Sequence, residues 1–141
     1  TGSGGAFCAG ADVKDLVQAL AKGAPQLSSH LKELATQLHH EVILKIRQLA
    51  KPVIASIDGV AAGAGFSLAL ACDLRIAAQD ARLFMAYSNI GATADGSSTY
   101  YLPKLVGTAR AMETRLGMIS PMVCPPIPRS VPLSSTHGTP K

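Results

Sequence analysis

The sequence predicts an α/β fold in which short strands and helices alternate around a buried core. Residues 28–50, "SSHLKELATQLHHEVILKIRQLA", repeat large aliphatic side chains at helical spacing. Residues 52–59, "PVIASIDG", form a short β-branched run that ends in a turn signal, which is typical of a buried strand. With 141 residues and 48% hydrophobic side chains, the chain is long enough to bury the core of one domain.

The first long segment is predicted to be one amphipathic helix. Ser28 or Ser29 can cap its first turn, and Pro52 ends it. The adjacent histidines, His39 and His40, lie inside this helix. Packing or surface roles are favoured over a ligand role for both, because neither has a partner at metal-binding spacing. The apolar positions of the helix are Leu31, Leu34, Leu38, Val42, Ile46 and Leu49.

The elements after the first strand follow the same alternation. Residues 60–72 begin with small side chains and become strongly apolar, which indicates a tight loop leading into a buried helix. The runs "DLRIAA" at 73–78 and "ARLFMAY" at 81–87 predict two short strands. Residues 95–107, which contain proline and glycine near their end, predict a capped helix, and residues 108–116 begin another.

The composition changes abruptly near residue 118. Residues 119–141 hold six prolines and show no apolar period, so we expect an extended or disordered tail. We therefore divide the chain into residues 1–117, the central part of an α/β core, and residues 118–141, a proline-rich tail.

Composition also excludes several classes of partner. The net charge of +4 is mild, the basic residues are scattered, and aromatic residues make up 4% of the chain, so a nucleic-acid surface is disfavoured. No uninterrupted apolar run is long enough for a membrane span, and no signal peptide is recognisable, which favours a cytoplasmic protein. The three cysteines, Cys8, Cys72 and Cys124, have no metal-binding spacing. We therefore expect reduced thiols and no bound metal.

Two loops of glycine and alanine carry the candidate chemistry. The first is "CAGAD" at 8–12 and the second is "AAGAG" at 61–65, and a helix start follows each of them. Free N–H groups at a helix start favour negative charge. Two such loops brought together would offer two N–H donors to one oxygen, an oxyanion hole suited to a thioester carbonyl that becomes an enolate. Two ordinary tight turns are the alternative interpretation.

Both loops lie inside long motifs that resemble a known family. "GAFCAGADVKDL" and the stretch from "KPVIASIDGVAAGAGFSLALACDLRIAA" to "LVGTARAME" resemble the crotonase, or enoyl-CoA hydratase/isomerase, family. The resemblance runs from about Gly2 to Glu113. It implies a crotonase-like ββα superhelix of the ClpP/crotonase type. The family's first strands and closing helices are absent or replaced, so we expect a truncated member, incomplete at both ends.

The resemblance also implies the ligand and the binding residues. Family members bind acyl-CoA thioesters, and coenzyme A enters as part of the substrate, so no separate cofactor is expected. By position in the motifs, the two oxyanion donors are the backbone N–H groups of Ala11 and Ala64. A trimer-based homo-oligomer is expected if the full fold is present. The residues expected to contact the CoA thioester are Ala9, Ala11, Asp12, Val13, Lys14 and Ala64.

The acid and base residues depart from the hydratase pattern. Typical hydratases carry two glutamates, at positions that hold Ser67 and Tyr87 here, and water addition needs both. Asp95 matches an aspartate that isomerases of the family use to move a proton. Asp95 or Ser97 can alternatively cap the following helix. A core packing role is favoured over lining of the acyl pocket for most of the following side chains: Phe66, Leu68, Phe84, Met85 and Tyr87.

The leading interpretation is therefore an acyl-CoA isomerase of the crotonase type, closest to those acting on ring-derived acyl groups. Ala11 and Ala64 hold the thioester oxygen, and Asp95 moves the proton. One alternative is a non-catalytic crotonase fragment, and another is an enoyl-CoA hydratase. A serine hydrolase with Ser67 as nucleophile in "GFSLA" is the remote alternative, because histidine partners are poorly placed in the sequence.

Overall fold

A computed structural model of the chain describes residues 1–115. Three helices and a π-helical turn precede the strands: α1 (Val13–Ala21), α2 (Ala24–Gln37), the π-turn (Leu38–Ile43) and α3 (Leu44–Gln48). The remaining elements are β1 (Ile54–Ile57), β2 (Val60–Ala62), α4 (Ala64–Ala71), β3 (Leu74–Ala77), β4 (Arg82–Phe84), a 3₁₀ helix (Ala86–Ile90), α5 (Ser98–Val106) and α6 (Thr108–Arg115).

The strands form two parallel pairs. Strand β1 pairs with β3, with Ile54 opposite Leu74, and β2 pairs with β4, with Ala61 opposite Leu83. The order β1–β2–α4 is then repeated as β3–β4–α5, so each unit contributes one strand to each pair and one helix. This strand–strand–helix repeat confirms the predicted α/β architecture of crotonase type. Cys8 adds a further parallel bridge beside Ala61, on the other side of β2 from β4.

Helix α4 lies at the centre of the core. Most of its residues are buried on every side of the helix, including Phe66, Ala69 and Leu70. Small alanine side chains let β2 and the neighbouring elements approach the helix closely, and Leu102 of α5 is buried in the same cluster. This burial holds the first turn of α4 rigidly beside the first glycine loop.

The predicted boundaries differ from the observed ones at several elements. The strand predicted over 81–87 ends at Phe84, and a 3₁₀ helix begins at Ala86. The helix predicted from residue 95 begins at Ser98. The helical run begins at Ala24, not at residue 28, because Gly23 has φ 116° and Pro25 lies in the first turn, so both serines lie inside the helix. Strand β2 was missed, since Val60–Ala62 offers one β-branched side chain and forms a strand by pairing with β4.

The predicted tail at 118–141, with Cys124 and His137, lies outside the described residues. Within residues 1–115, no helix is both long enough and apolar enough to cross a membrane. Both cysteines in this part are free thiols, as expected. Cys72 is buried, and Cys8 is partly buried.

The outer face of the β1–β3 pair exposes three large aliphatic side chains. Ile54 is 51% exposed, and Leu74 and Ile76 are each 56% exposed. Ile54 and Leu74 are direct neighbours in the register, and Ile76 lies two residues further along β3 on the same face. A contiguous apolar surface of this kind favours association with another apolar surface.

We expect the protein to self-associate through this face. The apparent mass measured by light scattering should rise with protein concentration, and Ile76→Thr should weaken the rise, because threonine suits a strand but is less apolar. Ile90→Thr is the matched control, since Ile90 is 55% exposed and lies on the 3₁₀ helix. A monomeric mass at every concentration would contradict the prediction.

Candidate active site

The first glycine loop is bound along β2 by backbone hydrogen bonds. The N–H groups of Phe7 and Cys8 donate to the carbonyl of Val60, over 3.0 and 3.1 Å. In return, the Ala62 N–H donates to the Cys8 carbonyl over 3.0 Å. The two loops, at 8–12 and 61–65, are therefore held side by side, as the oxyanion hypothesis requires.

Glycine makes the close approach of the two loops possible. A Cβ on Gly65 would lie 2.1 Å from the carbonyl oxygen of Cys8, well inside contact distance. A Cβ on Gly10, which has φ +93°, would lie 2.9 Å from the Ala62 oxygen and 3.3 Å from the Ala64 nitrogen. Gly10 immediately precedes Ala11, so the two predicted donor residues lie on adjoining stretches of backbone.

The predicted donor N–H groups of both loops are free. Ala64 is the first residue of α4, and its N-cap, Gly63, has no side chain to cap the helix. Ala11 lies just before α1. Within residues 1–115, neither N–H donates a hydrogen bond to another protein group. The α4 N–H also lies at the positive end of the helix dipole, which favours a partly negative oxygen.

The residues predicted to contact CoA lie at the start of α1. Asp12 caps α1, since its carboxylate accepts the Lys14 N–H at 2.8 Å. Ala9, Ala11, Asp12, Val13 and Lys14 are all exposed, and Val13 is 62% exposed. This stretch therefore presents backbone groups, an apolar side chain and one ammonium group to solvent beside the first loop.

Three polar side chains meet beside the start of α4. The Ser67 hydroxyl oxygen lies 3.0 Å from the Tyr87 hydroxyl and 3.1 Å from the backbone carbonyl oxygen of Asp95. The Tyr87 hydroxyl donates to the Asp95 carboxylate. Ser67 is fully buried and also donates to the Gly63 carbonyl at 3.3 Å, which ties this cluster to the N-terminus of α4. The Ser67–Tyr87–Asp95 cluster brings together all three positions that the sequence comparison with hydratases and isomerases singled out.

The backbone of Asp95, and not its carboxylate, supports the start of α5. The Asp95 carbonyl accepts the Ser98 N–H at 3.0 Å and the Ser98 hydroxyl at 2.7 Å. Ser97 occupies the N-cap position without a side-chain capping hydrogen bond. The expectation that the side chain of Asp95 or Ser97 caps this helix is therefore wrong. The Asp95 carboxylate instead points toward Tyr87.

Burial raises the pKa of the Tyr87 hydroxyl well above its ordinary range, and the hydrogen bond to Asp95 raises it further. Tyr87 therefore keeps its proton at physiological pH and acts as a donor. Since the phenol donates to Asp95, it fixes the direction of the carboxylate without competing with it for a proton.

The structure separates the predicted pocket side chains into two groups. Phe66 and Met85 are buried in the core, which confirms the packing role that the sequence favoured. Phe84 is 36% exposed, and Leu68 is partly buried. Tyr87 contributes its hydroxyl to the cluster, a polar role that its position in an apolar run did not reveal.

The serine hydrolase hypothesis finds no support in these contacts. Within residues 1–115, the recorded hydrogen-bond partners of the Ser67 hydroxyl are Gly63, Tyr87 and Asp95, and no histidine is among them. Nδ1 of His39 instead lies 3.2 Å from Oγ of Ser97. The sequence analysis missed this contact, because 58 residues separate the two side chains.

Paired parallel strands, a repeated strand–strand–helix unit and two glycine loops that meet at a helix N-terminus define an α/β protein of the crotonase type. The enoyl-CoA hydratase/isomerase family matches residues 1–119 of the chain. The chain therefore belongs to the enoyl-CoA hydratase/isomerase family.

Relatives within the family carry out different reactions. The chain is 40% identical over 116 residues to 1,2-epoxyphenylacetyl-CoA isomerase of Escherichia coli K12, covering 82% of this chain and 43% of the relative. It is 38% identical over 113 residues to 4-chlorobenzoyl coenzyme A dehalogenase-1 of Arthrobacter sp., and this match covers 80% of this chain and 40% of the relative.

A solved structure supports the same fold. The crystal structure of an enoyl-CoA hydratase from Polaromonas sp. JS666 superposes with a TM-score of 0.71 at 42% identity. This match covers 83% of the chain and 44% of the solved structure. The chain thus spans about two fifths of the length of the relatives it matches.

Proposed function

We propose that this chain binds an acyl-CoA thioester and moves a proton along the acyl group, as an isomerase does. The observation that carries the proposal is the Ser67–Tyr87–Asp95 cluster, in which Asp95 supplies the carboxylate and the other two side chains supply hydroxyls. A single carboxylate suits a reaction that removes a proton and returns it elsewhere.

The thioester oxygen would lie between the N–H groups of Ala11 and Ala64. Removal of the α- or γ-proton places negative charge on this oxygen, and two fixed donors stabilise the resulting enolate. The free N–H groups support this assignment, and so does the close approach of the two loops, since a Cβ on Gly10 would lie 3.3 Å from the Ala64 nitrogen. Because both donors belong to the backbone, they need no reorganisation when the charge develops.

Asp95 would act as the base and then as the acid. Its carboxylate takes the proton from one carbon of the enolisable unit, and the same carboxyl group returns it to another carbon. The Tyr87 hydroxyl orients the carboxylate, and the hydrogen bond from Tyr87 leaves the second carboxylate oxygen for the substrate. Because Asp95 is partly exposed, the proton that it holds can exchange with solvent before it is returned.

The start of α1 would hold part of the CoA moiety. Backbone groups of Ala9 and Ala11 lie beside the thioester position, and Asp12, Val13 and Lys14 follow on the exposed first turn. The Lys14 ammonium suits an anionic ligand such as the phosphates of CoA. We further propose that the acyl group is ring-derived, since two relatives are named for epoxyphenylacetyl-CoA and chlorobenzoyl-CoA.

Hydration is the second candidate function, because an enoyl-CoA hydratase is among the structural relatives. Water addition requires one group to activate water and another to protonate the α-carbon. Here Ser67 and Tyr87 occupy the two corresponding positions, and the phenol of Tyr87 has a raised pKa. The residues of this site therefore favour isomerisation over hydration.

Exchange of substrate protons with deuterated solvent tests the proposal. Wild-type protein should catalyse exchange into an enoyl-CoA or arylacetyl-CoA, without adding water and without releasing free CoA. Ser67→Ala should lower the exchange rate by less than about tenfold, because it removes one hydroxyl, whose single proton is shared among its three partners, and leaves Tyr87 bound to Asp95.

The matched control is Ser56→Ala, which removes an exposed hydroxyl from β1. A hydrated product would favour the hydratase, and CoA release that vanishes in Ser67→Ala would favour the hydrolase. Absence of exchange in correctly folded wild-type protein would overturn the proposal in favour of a non-catalytic family member.

A further inference from the structure

The turn that follows Asp95 is held in place by a residue from a distant helix. Ser97 has φ 60°, and it is the one non-glycine residue with a positive φ within residues 1–115. Its hydroxyl lies 3.2 Å from Nδ1 of His39, which belongs to the π-turn. We propose that His39 is a positioning residue, which holds Ser97 in its left-handed conformation and thereby keeps Asp95 aligned with Tyr87.

The unusual conformation of Ser97 requires an external contact. Left-handed backbone is unfavourable for a residue with a Cβ, so it persists where surrounding contacts enforce it. An N-cap serine ordinarily accepts a hydrogen bond from the helix that it begins. Ser97 makes no such bond to α5, and its hydroxyl is directed to His39 instead. The Ser97 hydroxyl thus contacts a side chain from a distant helix and not the helix that it begins.

The π-turn places two neighbouring side chains against this turn. A π-helical insertion shifts the faces of a helix and is frequent at functional sites. A Cβ on Gly96 would lie 3.1 Å from a methyl carbon of Leu38, so Leu38 packs directly against Gly96. His39, the next residue, reaches Ser97, whereas His40 bonds to the Thr36 carbonyl on its own helix.

The turn transmits the position of Ser97 to the Asp95 carboxylate. Gly96 lies between them with φ +56°, and a Cβ there would lie 2.8 Å from Cβ of Ser67. Ser98, on the other side, binds the Asp95 carbonyl through its N–H and its hydroxyl. If Ser97 left its conformation, Gly96 and Ser98 would shift, and Asp95 would lose its fixed direction toward Tyr87.

The effect of His39 on catalysis rests on the proposed function. It is measured by determining kcat and KM separately for substrate-proton exchange. His39→Ala should lower kcat about 3- to 10-fold, the range expected for losing one hydrogen bond, and should leave KM unchanged. His39→Asn should restore most of the rate, because the asparagine amide can also bond to a hydroxyl. His40→Ala is the matched control and should behave as wild type.

Two changes at Ser97 separate the hydrogen bond from the backbone conformation. Ser97→Ala removes the hydroxyl and keeps the unfavourable Cβ, so it should match His39→Ala, and the double variant should be no slower than either. Ser97→Gly also removes the hydroxyl, but glycine adopts the left-handed conformation freely, so the rate should remain close to wild type. Equal losses in Ser97→Ala and Ser97→Gly would overturn the inference.

Amide hydrogen exchange provides a readout that does not need activity. The N–H groups of Ser98 and Tyr101 donate to the carbonyls of Asp95 and Ser97. Their amide hydrogens should exchange about 3- to 10-fold faster in His39→Ala than in wild type, and at the wild-type rate in His40→Ala. If both amide hydrogens exchange at the wild-type rate in His39→Ala, the proposed role of His39 is overturned. If wild-type protein does not exchange substrate protons with solvent, the proposed function fails. The amide exchange rates in His39→Ala then still test whether His39 holds the turn in place.

Discussion

Asp95→Asn is expected to lower the rate of substrate-proton exchange at least about a hundredfold, with little change in KM or in the free energy of unfolding. Asparagine has nearly the same shape, and its amide oxygen can still accept the Tyr87 hydroxyl. The amide cannot take up a proton from carbon, so only the chemical step is removed. The rates are measured by mass spectrometry of the acyl-CoA in deuterated buffer.

The matched control for this change is Asp58→Asn. Asp58 is an exposed carboxylate in the turn after β1, and its replacement should leave the exchange rate unchanged. Exchange that survives in Asp95→Asn would show that another group takes the proton. The assignment of Asp95 as the base would then be wrong, even if the fold and acyl-CoA binding were intact.

Ala64→Pro is expected to lower the exchange rate about a hundredfold to a thousandfold, because proline has no N–H to donate to the thioester oxygen. The fold should tolerate this change. Proline is favoured at the first position of a helix, and the Ala64 N–H has no hydrogen-bond partner within residues 1–115. Gly63, with ψ −122°, is also outside the helical conformation that a following proline disfavours.

Thr108→Pro provides the control for proline itself. Thr108 is the exposed first residue of α6 and follows Gly107, so the substitution reproduces the local change far along the chain from Ala64. Circular dichroism should show the same helical content in both variants. Unchanged turnover and acyl-CoA affinity in folded Ala64→Pro would contradict the assignment of the oxyanion donors.

The two variants probe separate parts of the site, so their combination is informative. In the proposed reaction, Ala64 acts on the oxygen of the thioester, and Asp95 acts on a carbon of the acyl group. If both belong to one catalytic unit, the double variant should be little slower than the slower single variant, because residues that act as a unit are strongly non-additive. Independent losses that multiply would indicate two separable contributions.

Much of the architecture could be predicted because local patterns and tertiary packing agree. The aliphatic spacing within residues 28–50 predicted a helix, and the β-branched run at 52–59 predicted a strand, which the structure confirms as β1. The start of α2 could not be predicted, since Gly23 and Pro25 set it more strongly than the two serines. Strand β2 depends on pairing with β4, which no local pattern contains.

The sequence by itself determined where the backbones of the two loops can approach each other closely. Gly10 and Gly65 are required because a Cβ at either position would meet the backbone of the other loop, and glycine is the residue that permits such an approach. The tertiary structure decided what surrounds Asp95. Ser67, Tyr87, Ser97 and His39 come from four different elements or turns. Hydrogen bonds between such distant residues have no sequence period, so folding alone brings them together.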